Sequence, residues 1–185
     1  MTDPRHRPPL QVAALLRALH DDRIDWVLSG STVLAVYGAD LTPNDLDVVP
    51  SLDPENLERL AGLLARLDAR PAYLPEWTTG LSLDECRQWT PAPVTPEHLD
   101  HLFVTSLGML DIPPTITGDY ARLRQGATRV ELADTPVWVC APEEVLNRIP
   151  ARARAKDLER LAEYEKIRSI SKKDLKPVDF TRNRL

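Results

Sequence analysis

The sequence predicts a mixed α/β domain, a mixed sheet flanked by helices, with a short helical C-terminal end. Three observations predict it. Between residues 25 and 67 a short apolar run, a helical stretch, a second apolar run and a strongly periodic segment follow one another, which is the grammar of a mixed α/β domain. Two more pairs of short apolar runs, at 101–112 and 128–141, are each broken by a turn signal. The chain is 185 residues long and 43% hydrophobic, which suits one domain with a core and a small appendage. Residues 1–150 are expected to form the domain proper, and 151–185 a C-terminal helix and basic tail packed on it.

Val12, Leu15, Leu16 and Leu19 follow helical spacing, so residues 9–21 read as an amphipathic helix that begins at Pro8-Pro9. DWVLSG reads as a short strand ending at Gly30. The chain should then turn helical from Ser31 to Tyr37, with Gly38 placed to end that helix. DLDVVP, residues 45–50, is a second strand stopped by Pro50. Leu57, Leu60, Ala61, Leu64 and Leu67 mark a helix capped by Ser51 or Asp53, with Pro54 in its first turn.

Residues 71–96 carry Pro71, Pro75, Pro91, Pro93 and Pro96, and read as a surface excursion with one short helix near 82–89. A lid and a packed structural loop are equal readings of it. Residues 101–105 and 107–112 form a strand pair about a turn at Ser106 to Gly108, and Asp111 falls near the end of the second strand. A helix at 118–125, a hairpin with Asp134-Thr135-Pro136 near its turn, and two closing helices in PEEVLNRI and AKDLERLAEYEKIR complete the order.

Several classes are excluded. Cys86 and Cys140 have neither paired spacing nor a histidine pattern beside them, so a disulfide framework and a zinc site are not expected. The N-terminus is charged, and no apolar run approaches the length of a membrane span, so a soluble, cytoplasmic protein with no membrane partner is expected. His98 and His101 flank Asp100 and read as a helix-to-strand surface turn rather than a metal site; His20 reads as a surface residue.

Asp45 and Asp47 carry the chemistry. Strand side chains alternate, so the two acids share one face while Leu46 and Val48 share the other. Adjacent carboxylates repel and resist desolvation unless a positive charge joins them. Mg²⁺ suits the place, because it takes hard oxygen ligands and keeps positions open for waters or phosphates. Asp111 on a neighbouring strand would complete a site for two ions. Gly30-Ser31 fits the same scheme, since the start of a helix offers backbone N–H groups to phosphate oxygens.

GS, then DLD after a short helix, then LDI on a later strand resemble the DNA polymerase β-type nucleotidyltransferase superfamily. Within it the chain resembles the small AbiEii/MenT-like nucleotidyltransferases of bacterial toxin-antitoxin systems, over residues 9–165 by order of elements. The resemblance implies Gly30 and Ser31 on a triphosphate, Asp45 and Asp47 on two Mg²⁺ ions, and Asp111 as the third carboxylate that helps the nucleophilic hydroxyl lose its proton. It also implies a phosphate contact for Lys156, of the Lys156-Asp157 pair, with Arg152 and Arg154 as weaker candidates. One departure stands out: many relatives carry an arginine shortly before the two acids, where this chain has Asp40, Leu41, Thr42, Pro43 and Asn44.

The implied activity is transfer of a nucleoside monophosphate from an NTP to an acceptor hydroxyl. For a toxin-like relative the acceptor is a tRNA 3′ end, and a cognate antitoxin is a partner. A non-catalytic binding or antitoxin module, and an aminoglycoside-type small-molecule nucleotidyltransferase, are the alternatives. Net charge is −5, yet residues 166–185 hold seven Lys and Arg against two Asp, leaving +5 there and −10 elsewhere. A basic tail on an acidic body is a possible contact for RNA, or a solvated end.

Overall fold

The computed structural model describes residues 2–76, 80–113, 120–147 and 155–168, the Lys156 side chain excepted. Helix α1 (Val12–Asp21) buries Val12, Leu15, Leu16 and Leu19, the four residues its periodicity selects. Strand β1 (Trp26–Ser29) leads directly into helix α2 (Gly30–Val36), and both are buried along their length. Strand β2 (Asp45–Pro50) and helix α3 (Pro54–Arg66) follow.

Helices α1, α2 and α3 end in the same hydrogen-bonded turn. Arg23, Gly38 and Asp68 adopt positive φ, and their N–H groups and those of the next residues return to carbonyls of the last turn, as in Ile24 to Leu19 at 3.0 Å. Gly38 was legible as a helix stop. Arg23 and Asp68 were not, because arginine does not favour this conformation and aspartate adopts it too seldom to mark a stop.

Asp53 is the residue preceding α3, but its carboxylate accepts the Ser51 hydroxyl at 2.7 Å instead of capping the helix. Asn56 does the joining at this corner. Its side chain accepts from Asp25 N–H at 2.7 Å and donates to the carbonyls of Asp25 and Ser51, both at 2.9 Å. It thereby ties the start of β1 to the exit of β2.

The remaining elements are β3 (Arg70–Pro71), α4 (Leu83–Gln88), α5 (Pro96–Leu99), β4 (His101–Thr105), β5 (Gly108–Ile112), α6 (Tyr120–Gln125), β6 (Thr128–Leu132), β7 (Thr135–Val139), α7 (Pro142–Leu146) and α8 (Ala155–Ile167). The strands form a seven-stranded mixed sheet in the order β3-β4-β5-β2-β1-β7-β6. β2 is central: it runs antiparallel to β1 and parallel to β5. The β6–β7 turn is made by Ala133 and Asp134, both at positive φ, one residue earlier than the proline signal suggested. Of helix 118–125, residues 118 and 119 lie outside the described residues. Helix α8 packs against α2 and α7, and Ile167 joins the core. No helix among the described residues is long and apolar enough to cross a membrane.

The proline-rich stretch is anchored by a few buried residues, with much of its described length exposed. Ser82 and Glu85 close a reciprocal cap at the start of α4, and Cys86 and Trp89 are buried. Trp89 stacks on His98 at 5.2 Å between ring centroids and meets Phe103 at 4.9 Å. His98 Nε2 sits 2.7 Å from the Thr90 carbonyl, which fixes the imidazole against Trp89. Trp77 lies outside the described residues.

His101 is half-buried in the same aromatic group, edge-on to Trp89 and Phe103. Burial lowers its pKa below 6.5, helped by His98 and opposed by Asp100. The unfolded chain therefore takes up this proton at higher pH than the folded one. Stability is complete above the unfolded value and is lost as pH falls through it toward the depressed folded value. The urea midpoint should drop between about pH 7 and pH 5.5 and drop less in His101→Gln, as equilibrium unfolding followed by tryptophan fluorescence would measure. Equal pH dependence in the two proteins would remove His101 as the cause.

Candidate active site

The Gly-Ser pair and the two acids, fourteen residues apart in sequence, meet where β1 ends. Ser29 lies directly across from Asp47 in the antiparallel register. Gly30 then turns the chain into α2 with φ +68°, a conformation open to glycine and strained for other residues. A Cβ on Gly30 would lie 1.8 Å from Asp47 Oδ2 and 2.0 Å from its Cγ. The Asp47 carboxyl thus rests on the Gly30 backbone, in space that any side chain would fill, and its Oδ2 is shielded from solvent.

The parallel pairing of β2 with β5 sets Asp47 beside Asp111 and Asp45 beside Met109. Aligned residues on neighbouring strands lie ~4.8 Å apart and point to the same face. Asp45, Asp47 and Asp111 accordingly share one face, and all three are half-exposed in strands that are otherwise buried. Leu46 and Val48, on the opposite face, are fully buried. Asp111 remains within the ladder, paired with Leu102 on its other side, so Pro113 does not bend the strand before it. Pro114 lies outside the described residues.

Three hard oxygen donors on one face fit a divalent cation such as Mg²⁺ in chemistry and in placement on the backbone. Their side chains are not drawn together, however: among the described residues no group of three or more His, Cys, Asp or Glu forms a metal-holding cluster. The fit therefore lies in the strand register.

Ser31 follows Gly30 in the first turn of α2 and is only 9% exposed. Gly30 is buried as well, so the candidate phosphate-binding turn is set into the protein rather than raised from it. The Lys156 side chain, Arg152 and Arg154 lie outside the described residues. Asp157 faces inward at 1% exposure and pairs with Arg160 at 3.8 Å.

The segment leading into β2 is held from a direction the sequence did not disclose. Glu163 of α8 accepts the Asp40 N–H at 2.9 Å and also pairs with Lys166. Both contacts hold its carboxyl below the usual range. A glutamate in a helix rich in Glu, Lys and Arg carries no mark of such a role, so only the fold could reveal it.

No protein-family model matches the chain, and no curated protein matches it in sequence. Solved structures do. An antigenic nucleotidyltransferase-like protein from Paracoccidioides brasiliensis superimposes with a TM-score of 0.51 at 16% identity, over 86% of this chain and 78% of that one. The antibiotic-resistance factor ANT(2″)-Ia in solution aligns at 0.49 with 15% identity, over 85% of each chain. Its crystal structure in complex with adenylyl-2″-tobramycin aligns at 0.48 with 15% identity, over 84% of this chain and 92% of that one. The mixed sheet flanked by helices is a nucleotidyltransferase fold, as the sequence led one to expect.

Gly30→Ala places a methyl group in the Asp47 carboxyl and a side chain in left-handed backbone. It is expected to cost about 2 kcal/mol or more, or roughly 4–8 °C in Tm for a chain of this size. Gly38→Ala is the control, because its Cβ meets nothing within 4 Å and only the backbone strain remains. Calorimetry that ranked the two substitutions equally would refute the steric contact.

Proposed function

We propose that the chain is a nucleotidyltransferase that moves a nucleoside monophosphate from an NTP to an acceptor hydroxyl. The observation that carries this reading is the alignment of Asp45, Asp47 and Asp111 on one face beside the Gly30 turn, on a nucleotidyltransferase fold.

In the transfer the acceptor oxygen bonds to the α-phosphorus, the bond from that phosphorus to the bridging oxygen breaks, and pyrophosphate leaves. Asp45 and Asp47, with Asp111, would hold two Mg²⁺ ions, which when bound neutralise charge on the phosphates. The N–H groups of the first turn of α2, with the Ser31 hydroxyl, are the donors on offer to a phosphate oxygen. Asp111 is the proposed acceptor of the proton of the attacking hydroxyl. The buried Leu46 and Val48 anchor β2 and hold its acids in position.

For the acceptor we propose a tRNA 3′ end, with the chain acting as the toxin of a toxin-antitoxin pair and a cognate antitoxin as its partner. The resemblance of residues 9–165 to small toxin nucleotidyltransferases supports this, as does the +5 charge of residues 166–185. Lys156 is the proposed phosphate contact from the C-terminal helix.

Incubation with each labelled NTP, Mg²⁺ and total tRNA should label the tRNA with one nucleotide. Asp47→Ala should abolish the label, and Asp111→Asn should slow transfer by roughly 10²-fold or more while the fold persists. Label on an aminoglycoside but not on tRNA would replace the acceptor. Equal behaviour of wild type and Asp47→Ala with every acceptor would leave a binding module.

Truncation after Arg168, which removes +3 of the +5 charge of residues 166–185, should raise the acceptor KM and flatten its salt dependence, with the NTP KM unmoved. Each backbone phosphate that the tail no longer neutralises should take about 0.7–0.9 from the log–log slope. An unchanged acceptor KM would make the tail a solvated end.

A further inference from the structure

The opposite end of the sheet carries a recess of about 280 Å³ with the reverse electrostatic character. Trp26 lies at the far end of β1 from Ser29, ~10 Å along the strand from the carboxylates. Thr135 of β7, which runs parallel to β1, opens at the same end. His20 from α1, Arg23 from the turn after it, Arg129 from β6, and Trp26 and Trp138 line the recess. Its volume is near the lower end, ~300 Å³, of clefts that hold small ligands.

Its polar groups are set up for an anion. His20, Arg23 and Arg129 are exposed, and among the described residues no ion pair engages any of them. The one acid in the lining, Asp25, receives the Tyr120 hydroxyl at 2.6 Å. Arg129 and Trp138 are direct partners across the β6–β7 hairpin, so their side chains leave the same face side by side. Trp138 is half-buried, and the Arg124 guanidinium lies 3.3 Å from its ring centroid, which adds positive charge beside an aromatic wall. Positive side chains interleaved with aromatic rings, at a recess that admits one small group, are the pattern that binds phosphate and base together.

We propose that this recess binds a nucleotide, through its phosphate on Arg23 and Arg129 and its base against Trp138, as a second site apart from the three carboxylates. The nucleotide is either free or one unit of a single strand. It would dock toward the start of β1, at the end of that strand away from the acids.

The test is binding of a labelled short oligoribonucleotide to the full chain by fluorescence anisotropy, with AMP as competitor. Arg129→Ala and Arg23→Ala alter exposed side chains, and an unchanged Tm shows that each variant is folded. Each is expected to raise Kd about fivefold or more, and to make the log–log salt slope shallower by about 0.7. Trp138→Phe, which keeps an aromatic face, should lose less affinity than Trp138→Ala. Competition by AMP at the oligonucleotide's own affinity assigns the recess to a free nucleotide, and no competition assigns it to a strand. Unchanged Kd and salt slope in both arginine variants, or no binding to wild type, overturns the proposal. The measurement needs no transfer, so its failure leaves the reading of the carboxylate face intact.

Discussion

Contact between the Asp47 carboxyl and the Gly30 backbone is the constraint on which the rest of the site depends. It removes every side chain but hydrogen from position 30, and it needs left-handed backbone there as well. Both requirements arise from one event, the change from strand to helix within a single residue. A more gradual turn would leave space for a Cβ but would carry the start of α2 away from the acids. The abruptness of the turn and the closeness of the carboxylate are therefore the same fact.

β2 is the element that makes this contact possible. Leu46 and Val48 commit one of its faces to the core, so its register against β1 cannot slip by one residue without burying two carboxylates. Pairing on the other side with β5 then brings in Asp111. A strand paired on both sides has little freedom to shift, which suits a face whose acids repel one another. The loop before it is held from outside the sheet, where Glu163 grips Asp40 and so ties α8 to the approach to the acids.

The two ends of the sheet have opposite characters. Carboxylates gather beside the end of β1, while cationic and aromatic side chains surround its beginning. Net charge alone hides this division, since the whole chain sums to −5. Fields are set by placement rather than by totals, and a polyanion would meet the two ends quite differently.

The sequence by itself determined most of the alternation of strands and helices, the buried residues of α1, the buried Leu57, Leu60, Ala61 and Leu64 of α3, and the face shared by Asp45 and Asp47. All of these follow from local periodicity, in which spacing along the chain fixes direction in space. It also marked Gly30, Ser31 and Asp111 as candidates, through a resemblance in their order. Only the tertiary structure decided that Gly30 lies against Asp47 and that Asp111 aligns with it, because strand pairing joins residues far apart in sequence. The same holds for Asn56 and Glu163, which act through backbone groups 31 and 123 positions away. It holds for Trp89 and His98 as well, whose proline-rich surroundings left a lid and a packed loop equally open until Phe103 supplied a surface to pack on. Pairings at long range cost chain entropy and are selected by the fold as a whole, so no local pattern announces them.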